Sequence, residues 1–236
     1  MSAGTKWTAS LSLVIASCLA MPVAFAQDSF GTPAKPNVAA VQPRAPGRPM
    51  QAAPASRLPE MAMPTAIANG VATGEAQDFG VAPTQQLRPS QQLHGPTPTS
   101  IPGGKVIDTR QLSGMLQREQ GNVLLLHAYG ASDHLPGAQA AGPAAQGGSF
   151  DDQVQREFGQ YLRQASGGDT SRMLVVYCAG PQCWGSYNAA LRAIHMGFRN
   201  VYWYRGGLEA WGQAGLPLQD GQGQPVQAAR ALLQRQ

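Results

Sequence analysis

Residues 172–188 read RMLVVYCAGPQCWGSYN. Met173 to Tyr177 is a run of strand-forming residues that ends on Cys178. A short loop follows, Ala179, Gly180, Pro181 and Gln182, and then a second cysteine, Cys183, beside Trp184. A helix-forming segment, Ser186 to Met196, begins at once and stops at Gly197. A strand that delivers a cysteine into a loop at a helix N-terminus favours a reactive thiolate, because backbone N–H groups and the helix dipole both stabilise negative charge there. An inert buried thiol is the plainer reading of Cys178, and its place between strand end and helix start argues against it. Gly180 relieves steric limits and Pro181 fixes φ, so the two shape the loop. Cys183 has two readings, a resolving thiol that attacks a modified Cys178 or half of a structural disulfide, and spacing alone leaves both open. Trp184 is read as core or rim packing before pocket lining.

Working outward, Lys105 to Asp108 reads as a short strand, and Asp108 or Thr109 can cap a helix over Gln111 to Gln120 that Gly121 ends. Val123 to His127 (VLLLH) is an unbroken apolar run of strand length, the pattern of a parallel strand covered on both faces. A short strand is expected near Ala138 to Ala141. A helix is expected over Asp151 to Gln164, with Val154, Phe158, Tyr161 and Leu162 on its apolar face. Met173 to Cys178 reads as the most central strand, Val201 to Tyr204 as another, and Gly206-Gly207 leads to a short helix ending near Gly212. Strands alternating with helices predict a three-layer α/β/α domain with a central parallel sheet. In such sheets, sites lie at the carboxyl ends of the strands, which is where Cys178 falls.

The rest of the 236 residues divides by composition. Residues 1–26 read as an export signal: Lys6 supplies the positive start, Leu11 to Phe25 is mostly apolar, and Ala24-Phe25-Ala26 is a cleavage pattern. Pro22 and the short run argue against a transmembrane helix. Ile15-Ala16-Ser17-Cys18 resembles a lipobox, which would anchor the chain to a membrane through a lipid on Cys18; the apolar run continuing to Phe25 favours cleavage after Ala26 and a soluble periplasmic product. Residues 27–100 hold 12 of the 19 prolines and only two aromatic residues, Phe30 and Phe79, and read as a disordered Pro/Ala/Gln-rich linker. Residues 101–220 are then one small domain and 221–236 a C-terminal tail, with a terminal helix over 226–236 as one reading. The chain carries a formal charge of +4, yet residues 101–220 hold nine Lys/Arg and nine Asp/Glu. A neutral domain without a basic run is a poor nucleic-acid binder. No His/Cys spacing suggests zinc, Cys183-Trp184 lacks the histidine of a haem attachment motif, and no cofactor is expected. After export, two nearby thiols tend to become a disulfide unless something keeps them reduced.

Three stretches, in order, resemble the rhodanese-like domains: DHLPGA at Asp133 to Ala138, VVYCAGPQCWGSYNAALRAIHMGF around Cys178, and NVYWYRGGLEAWGQAGLPL at Asn200 to Leu218. The Cys-Trp pair also resembles a small exported subfamily known from a CxxCW motif and found near quinoprotein (pyrroloquinoline quinone-dependent) dehydrogenase systems, although the spacing here is C-x4-C-W. The resemblance implies a sulfurtransferase: Cys178 takes a sulfane sulfur as a persulfide and passes it to a thiol acceptor. The loop N–H groups from Ala179 to Trp184 then stabilise the anion; apart from the resemblance, Cys183 of this chain is placed to resolve the intermediate by forming Cys178–Cys183. Two departures weaken a standard thiosulfate enzyme. Cys183 stands where many members have a basic residue that holds anionic donors, and His127 and Tyr129 stand where Asp and Arg are usual. Trp184 occupies the position of the arginine that clamps phosphate in the phosphatase relatives, which argues against that activity. A second hypothesis keeps the fold and drops the sulfur: a redox or non-catalytic accessory module with a Cys178–Cys183 disulfide, docking onto an exported oxidoreductase through a Trp/Tyr surface around Trp184 and Tyr202. His127 and His134 are read as structural, with a proton-shuttle role for His127 as the alternative. His94 falls in the linker, and His195 in a helix's last turn, where it favours the dipole. Arg205 is a candidate to face the loop and attract anions, and Trp211 is read as core.

Overall fold

The computed structural model describes residues 74–119, 121–223 and 225–226. The signal segment 1–26, the Cys18 lipobox, the linker up to residue 73 and the tail beyond Val226 lie outside the described residues. Five strands form one parallel sheet: β1 (Lys105–Val106), β2 (Val123–His127), β3 (Gln139–Ala140), β4 (Met173–Tyr177) and β5 (Val201–Tyr204), in the order β1-β5-β4-β2-β3. The cysteine-bearing strand β4 is therefore central. Alternation along the strands sends side chains to two cores. Leu124, Leu126, Leu174, Val176, Val201 and Trp203 face one core, and Leu125, Val175, Tyr177 and Tyr204 the other. Helices α2 (Gln153–Ser166) and α3 (Gly185–His195) cover the first face. Helices α1 (Thr109–Arg118) and α4 (Gly207–Gln213) cover the second. The expected three-layer α/β/α architecture is what the chain adopts.

The helix boundaries follow from local chemistry. Asp108 caps α1 as half of a capping box: its carboxylate accepts from the Gln111 N–H (2.7 Å), and the Gln111 side chain accepts from the Asp108 N–H (3.2 Å). Asp152 caps α2 through the Gln155 N–H (2.7 Å), and Gly167 ends that helix at φ +66°, a conformation that costs glycine little. Helix α3 has no side-chain cap, and its N-terminus is left for the loop that precedes it. Beyond the sheet, β6 (Leu218–Gln219) pairs antiparallel with β7 (Pro225–Val226), so the start of the expected tail is held against the domain.

One expectation fails. The linker reading extended to residue 100, and residues 74–100 instead pack on the domain as an ordered strap. Its order does not come from an apolar face of its own. Its backbone is matched by the domain's polar groups: Tyr187 Oη accepts from the Thr84 N–H (2.9 Å) and donates to the Thr84 carbonyl (2.8 Å), while Asn188 pairs both ways with the backbone of Arg88 (2.8 and 2.9 Å). Val81, Leu87 and Leu93 add apolar contact to the first core.

A second buried polar device fixes the first face. Arg192, in α3, is fully buried and donates to Asp152 through both terminal nitrogens (3.0 and 2.8 Å), to Gln155, and to the carbonyls of Gln146, Gly147 and Ser149. This ties α3 to the start of α2. Partial burial works to raise the Asp152 carboxyl, yet the hydrogen bonds from Arg192, Gln155 and Ser149 hold it below its ordinary value. Removing one partner of a buried, multiply bonded pair is costly. Arg192→Met is expected to lower the free energy of unfolding by about 3 kcal/mol at neutral pH, read as a shift in the urea midpoint. A loss below about 0.5 kcal/mol would show that the cluster holds nothing.

Candidate functional site: a strapped disulfide loop

Strand β4 releases its chain at Cys178, and the next six residues turn over the carboxyl edge of the sheet into α3. Cys178 and Cys183 are joined by a disulfide with a Cα–Cα distance of 6.2 Å. Of the two open readings of Cys183, the bridged one is the state of this structure. Both cysteines are buried, Cys178 at 1% and Cys183 at 5% exposure. A methyl group built on Gly185, the first residue of α3, would lie 3.6 Å from Cys178 Sγ, so the sulfur stands beside the helix start. Within the closed ring the Cys183 N–H bonds to the Gly180 carbonyl (3.0 Å). The loop carbonyls of Cys178 and Ala179 accept from the N–H groups of Leu208 (3.0 Å) and Glu209 (2.9 Å), the free donors at the start of α4. This close approach depends on Gly207, which sits at φ +59° with its Cα against the Cys178 and Ala179 carbonyls; any β-carbon there would clash with them.

The strap closes the loop from outside. Its residues 93–97 run antiparallel to residues 181–184, with a bridge between His94 and Cys183. The Trp184 N–H bonds to the Leu93 carbonyl (2.9 Å), the Gly95 N–H to the Gln182 carbonyl (2.9 Å), and the Thr97 N–H to the Pro181 carbonyl (3.2 Å). Thr97 Oγ1 donates to that same carbonyl (2.6 Å), and Trp184 Nε1 to the Pro96 carbonyl (3.1 Å). Farther along, Arg205 works as a clasp. It donates to Thr97 Oγ1 (3.0 Å), to the Thr97 carbonyl (3.1 Å) and to the Glu75 carbonyl (2.6 Å), with Phe79 stacked on the guanidinium at 5.2 Å. The Glu75 carboxylate accepts from Thr109 at the start of α1, from its N–H (3.1 Å) and its hydroxyl (2.7 Å). A cavity of about 200 Å³ remains between this clasp and β1, lined by Glu75, Asp108 and Arg205 among others.

The predicted loop residues, Cys178 through Trp184, are thus together, but several roles differ from expectation. The loop N–H groups were expected to hold an anion; those of Cys183 and Trp184 are engaged by Gly180 and Leu93, and Pro181 has none. Arg205 was a candidate to attract anions and is instead buried with all three guanidinium nitrogens donating to the strap. Trp184 is core, 1% exposed, with Arg88 stacked over it at 4.8 Å, so it forms no docking surface with Tyr202. His94 belongs to the strap. Trp211 is core, as expected, and His195 closes α3 stacked on Phe150 at 4.2 Å. Sequence reasoning missed Glu75, Thr97, Tyr187 and Asn188. The signal was there in part: a Pro-rich segment that retains Thr, Asn partners and carbonyls can be ordered by a neighbour's side chains even when it has no apolar period.

At the end of β2, His127 is fully buried, stacked flat on Tyr177 (4.6 Å, 3°), with Nδ1 2.7 Å from His134 Nδ1. Its Nε2 has no partner. Burial, with His134 beside it, pushes His127 down to about 4. Tyr129, at the position of the family's usual arginine, is exposed. Among the described residues no group of three or more His, Cys, Asp or Glu side chains converges as a metal site, and no helix is long and apolar enough to cross a membrane.

Residues 99–214 match the family model of the rhodanese-like domain, and this part of the chain belongs to that family. Among solved structures, the chain is similar to the Alr3790 protein from Anabaena sp. (24% identity over 46% of this chain and 76% of that one, TM-score 0.34). It is also similar to a thiosulfate sulfurtransferase from Pseudomonas aeruginosa (18% identity over 56% of this chain and 25% of that one, TM-score 0.39). A full-length protein from Lactobacillus plantarum is a third (20% identity, 46% and 82%, TM-score 0.34). No curated protein matches the chain.

The histidine makes a testable statement about pH. An unfolded histidine titrates near 6.5, so between about pH 6.5 and 4 the unfolded chain binds a proton at residue 127 that the folded chain refuses. The stabilisation is complete above pH 6.5 and is lost as the pH falls towards 4. Integrated over that window it amounts to about 3 kcal/mol. The urea midpoint of the native protein is expected to fall across this range more steeply than that of His127→Phe; parallel curves would show that His127 protonates freely in the folded state.

Proposed function

We propose that this is a sulfur-transfer protein of the rhodanese-like class whose working thiolate is Cys178, stored as a disulfide with Cys183. One observation carries the reading: in a rhodanese-like domain, Cys178 stands at the carboxyl end of the central strand with its sulfur beside the first residue of α3. Once a dithiol reductant has opened the bond, the Cys178 thiolate attacks the outer sulfur of a sulfane donor. With thiosulfate, the S–S bond of the donor breaks, sulfite leaves with the electron pair, and Cys178 holds a persulfide. Two exits follow. A thiol acceptor takes the outer sulfur, or the Cys183 thiolate attacks Cys178 Sγ, reforms the disulfide and expels the sulfur as hydrosulfide. The absence of a basic side chain at residue 183 favours a donor that needs no cationic clamp, such as a polysulfide or another protein's persulfide.

A second reading is favoured by the closed disulfide itself. The pair then exchanges electrons only, as an accessory thiol–disulfide module of an exported oxidoreductase. Under either reading we place the protein in the periplasm on the strength of the Lys6-to-Ala26 signal, with a quinoprotein dehydrogenase as the kind of partner in view.

Intact mass distinguishes the two. The purified protein is expected to start two hydrogens light. After reduction, removal of the reductant and exposure to thiosulfate or polysulfide, it is expected to gain one sulfur that cyanide removes. Cys178→Ser is expected to load nothing, and Cys183→Ser to load and retain its persulfide longer than the native protein. Loading by Cys178→Ser would overturn the assignment. Failure of the reduced Cys183→Ser protein to gain sulfur, with the reduced native protein only returning to the disulfide and releasing no hydrosulfide, would establish the redox reading in its place.

A further inference from the structure

The strap pairs with the same loop that the disulfide closes. The two loop carbonyls that accept from the strap backbone, those of Pro181 and Gln182, lie inside the ring closed between Cys178 and Cys183. The N–H that donates to Leu93 belongs to Trp184, the residue directly outside it. An extended segment can pair with a loop only while the loop holds its donors and acceptors at strand-like spacing. A free loop of this length samples many shapes, and a covalent closure removes most of them. The closed ring is therefore the template on which residues 93–97 lie. The converse dependence is steric. With Cys178 and Cys183 at 1% and 5% exposure, and with His94 of the strap bridged to Cys183, neither sulfur is open to a thiolate in the seated structure.

We propose that residues 75–97 form a redox-gated strap: the closed Cys178–Cys183 ring holds it over the thiol site, and two-electron reduction by a dithiol releases residues 93–97 and uncovers Cys178. When the strap lifts, one thiolate of the dithiol attacks Cys183 Sγ. The S–S bond breaks, its electrons pass to Cys178 Sγ, and the second thiol resolves the mixed disulfide. Two protons from the reductant end on the two cysteines, and the reductant leaves as a disulfide. Coupling of this kind is reciprocal: whatever loosens the strap makes the bond easier to reduce by the same factor. The Arg205 clasp, which holds the Thr97 carbonyl and Glu75, ties the strap to the domain at that end, so the release is a local lifting of residues 93–97 from the loop that pivots at Thr97. The inference rests on the reading that the reduced pair is the working form, and its test requires no sulfur transfer.

The test uses the full chain, oxidised or held in excess dithiothreitol, with amide hydrogen exchange followed by mass spectrometry. Reduction is expected to speed exchange over residues 93–97 about tenfold or more, with β4 unchanged. Equal protection in the two states would overturn the gate, and so would equal acceleration in β4, which would mean general unfolding. The reciprocal arm equilibrates the protein with dithiothreitol in its thiol and disulfide forms. Thr97→Ala removes the hydroxyl that joins Pro181 to Arg205, and is expected to move the equilibrium about tenfold towards the dithiol. Gly95→Ala is an independent second variant. Its methyl meets open space, but residue 95 sits at φ +138°, so the change strains only the strap. An unchanged equilibrium in both variants would overturn the coupling, whatever the sulfur chemistry of Cys178 proves to be.

Discussion

The constraint on which this molecule turns is that a buried loop must find partners for its backbone. The chain leaves the central strand at Cys178 and has to reach the start of α3 under cover, without water to satisfy its carbonyls and N–H groups. It does so from three sides. The start of α4 donates to the carbonyls of Cys178 and Ala179, an internal turn joins Gly180 to Cys183, and the strap takes the outward groups of Pro181, Gln182 and Trp184. The disulfide fixes the shape in which all three sets can be made at once. Remove the strap, and the carbonyls of Pro181 and Gln182 and the N–H of Trp184 lose their partners together.

The same arrangement explains why the departures from the family's usual residues are consistent with one another. A basic side chain at residue 183 and an arginine at residue 129 would serve an open loop that captures an anion from solution. Here the loop is closed, Cys183 completes a covalent ring, and Arg205 is turned to the strap. The anion-holding capacity of the loop is reduced in this state, since two of its N–H groups have protein partners. A thiolate at Cys178 exists only once this disulfide is opened.

On the other face of the sheet, His127 shows how burial sets a side chain's chemistry. It stacks on Tyr177, shares a short Nδ1–Nδ1 contact with His134, and is held neutral by its surroundings. The structural reading expected a satisfied histidine, and only Nδ1 has a partner. Its unpartnered Nε2 makes it the one side chain of the pair that acid would destabilise most directly.

By itself, the sequence determined the layered α/β architecture, the centrality of the cysteine strand and the place of Cys178 at that strand's carboxyl end. Strand-length apolar runs such as Val123–His127, an Asp capping residue at 108, and a cysteine at a strand end are local signals, and local physics turns each into the element observed. The three family stretches were equally legible, and they place residues 101–220 close to the matched domain, 99–214. The strap was not legible, because residues 74–100 have no apolar period, and a reading that asks whether a segment can bury its own surface returns disorder. Those residues are ordered by groups up to 130 positions away in the chain, such as Tyr187, Asn188 and Arg205, whose hydrogen bonds exist only after the sheet has brought them to one edge. For the same reason, the sequence left Cys183 open between resolving thiol and disulfide partner, and Arg205 open between anion binder and clasp. Whether two side chains meet is a matter of three-dimensional placement, and only the tertiary structure decided it.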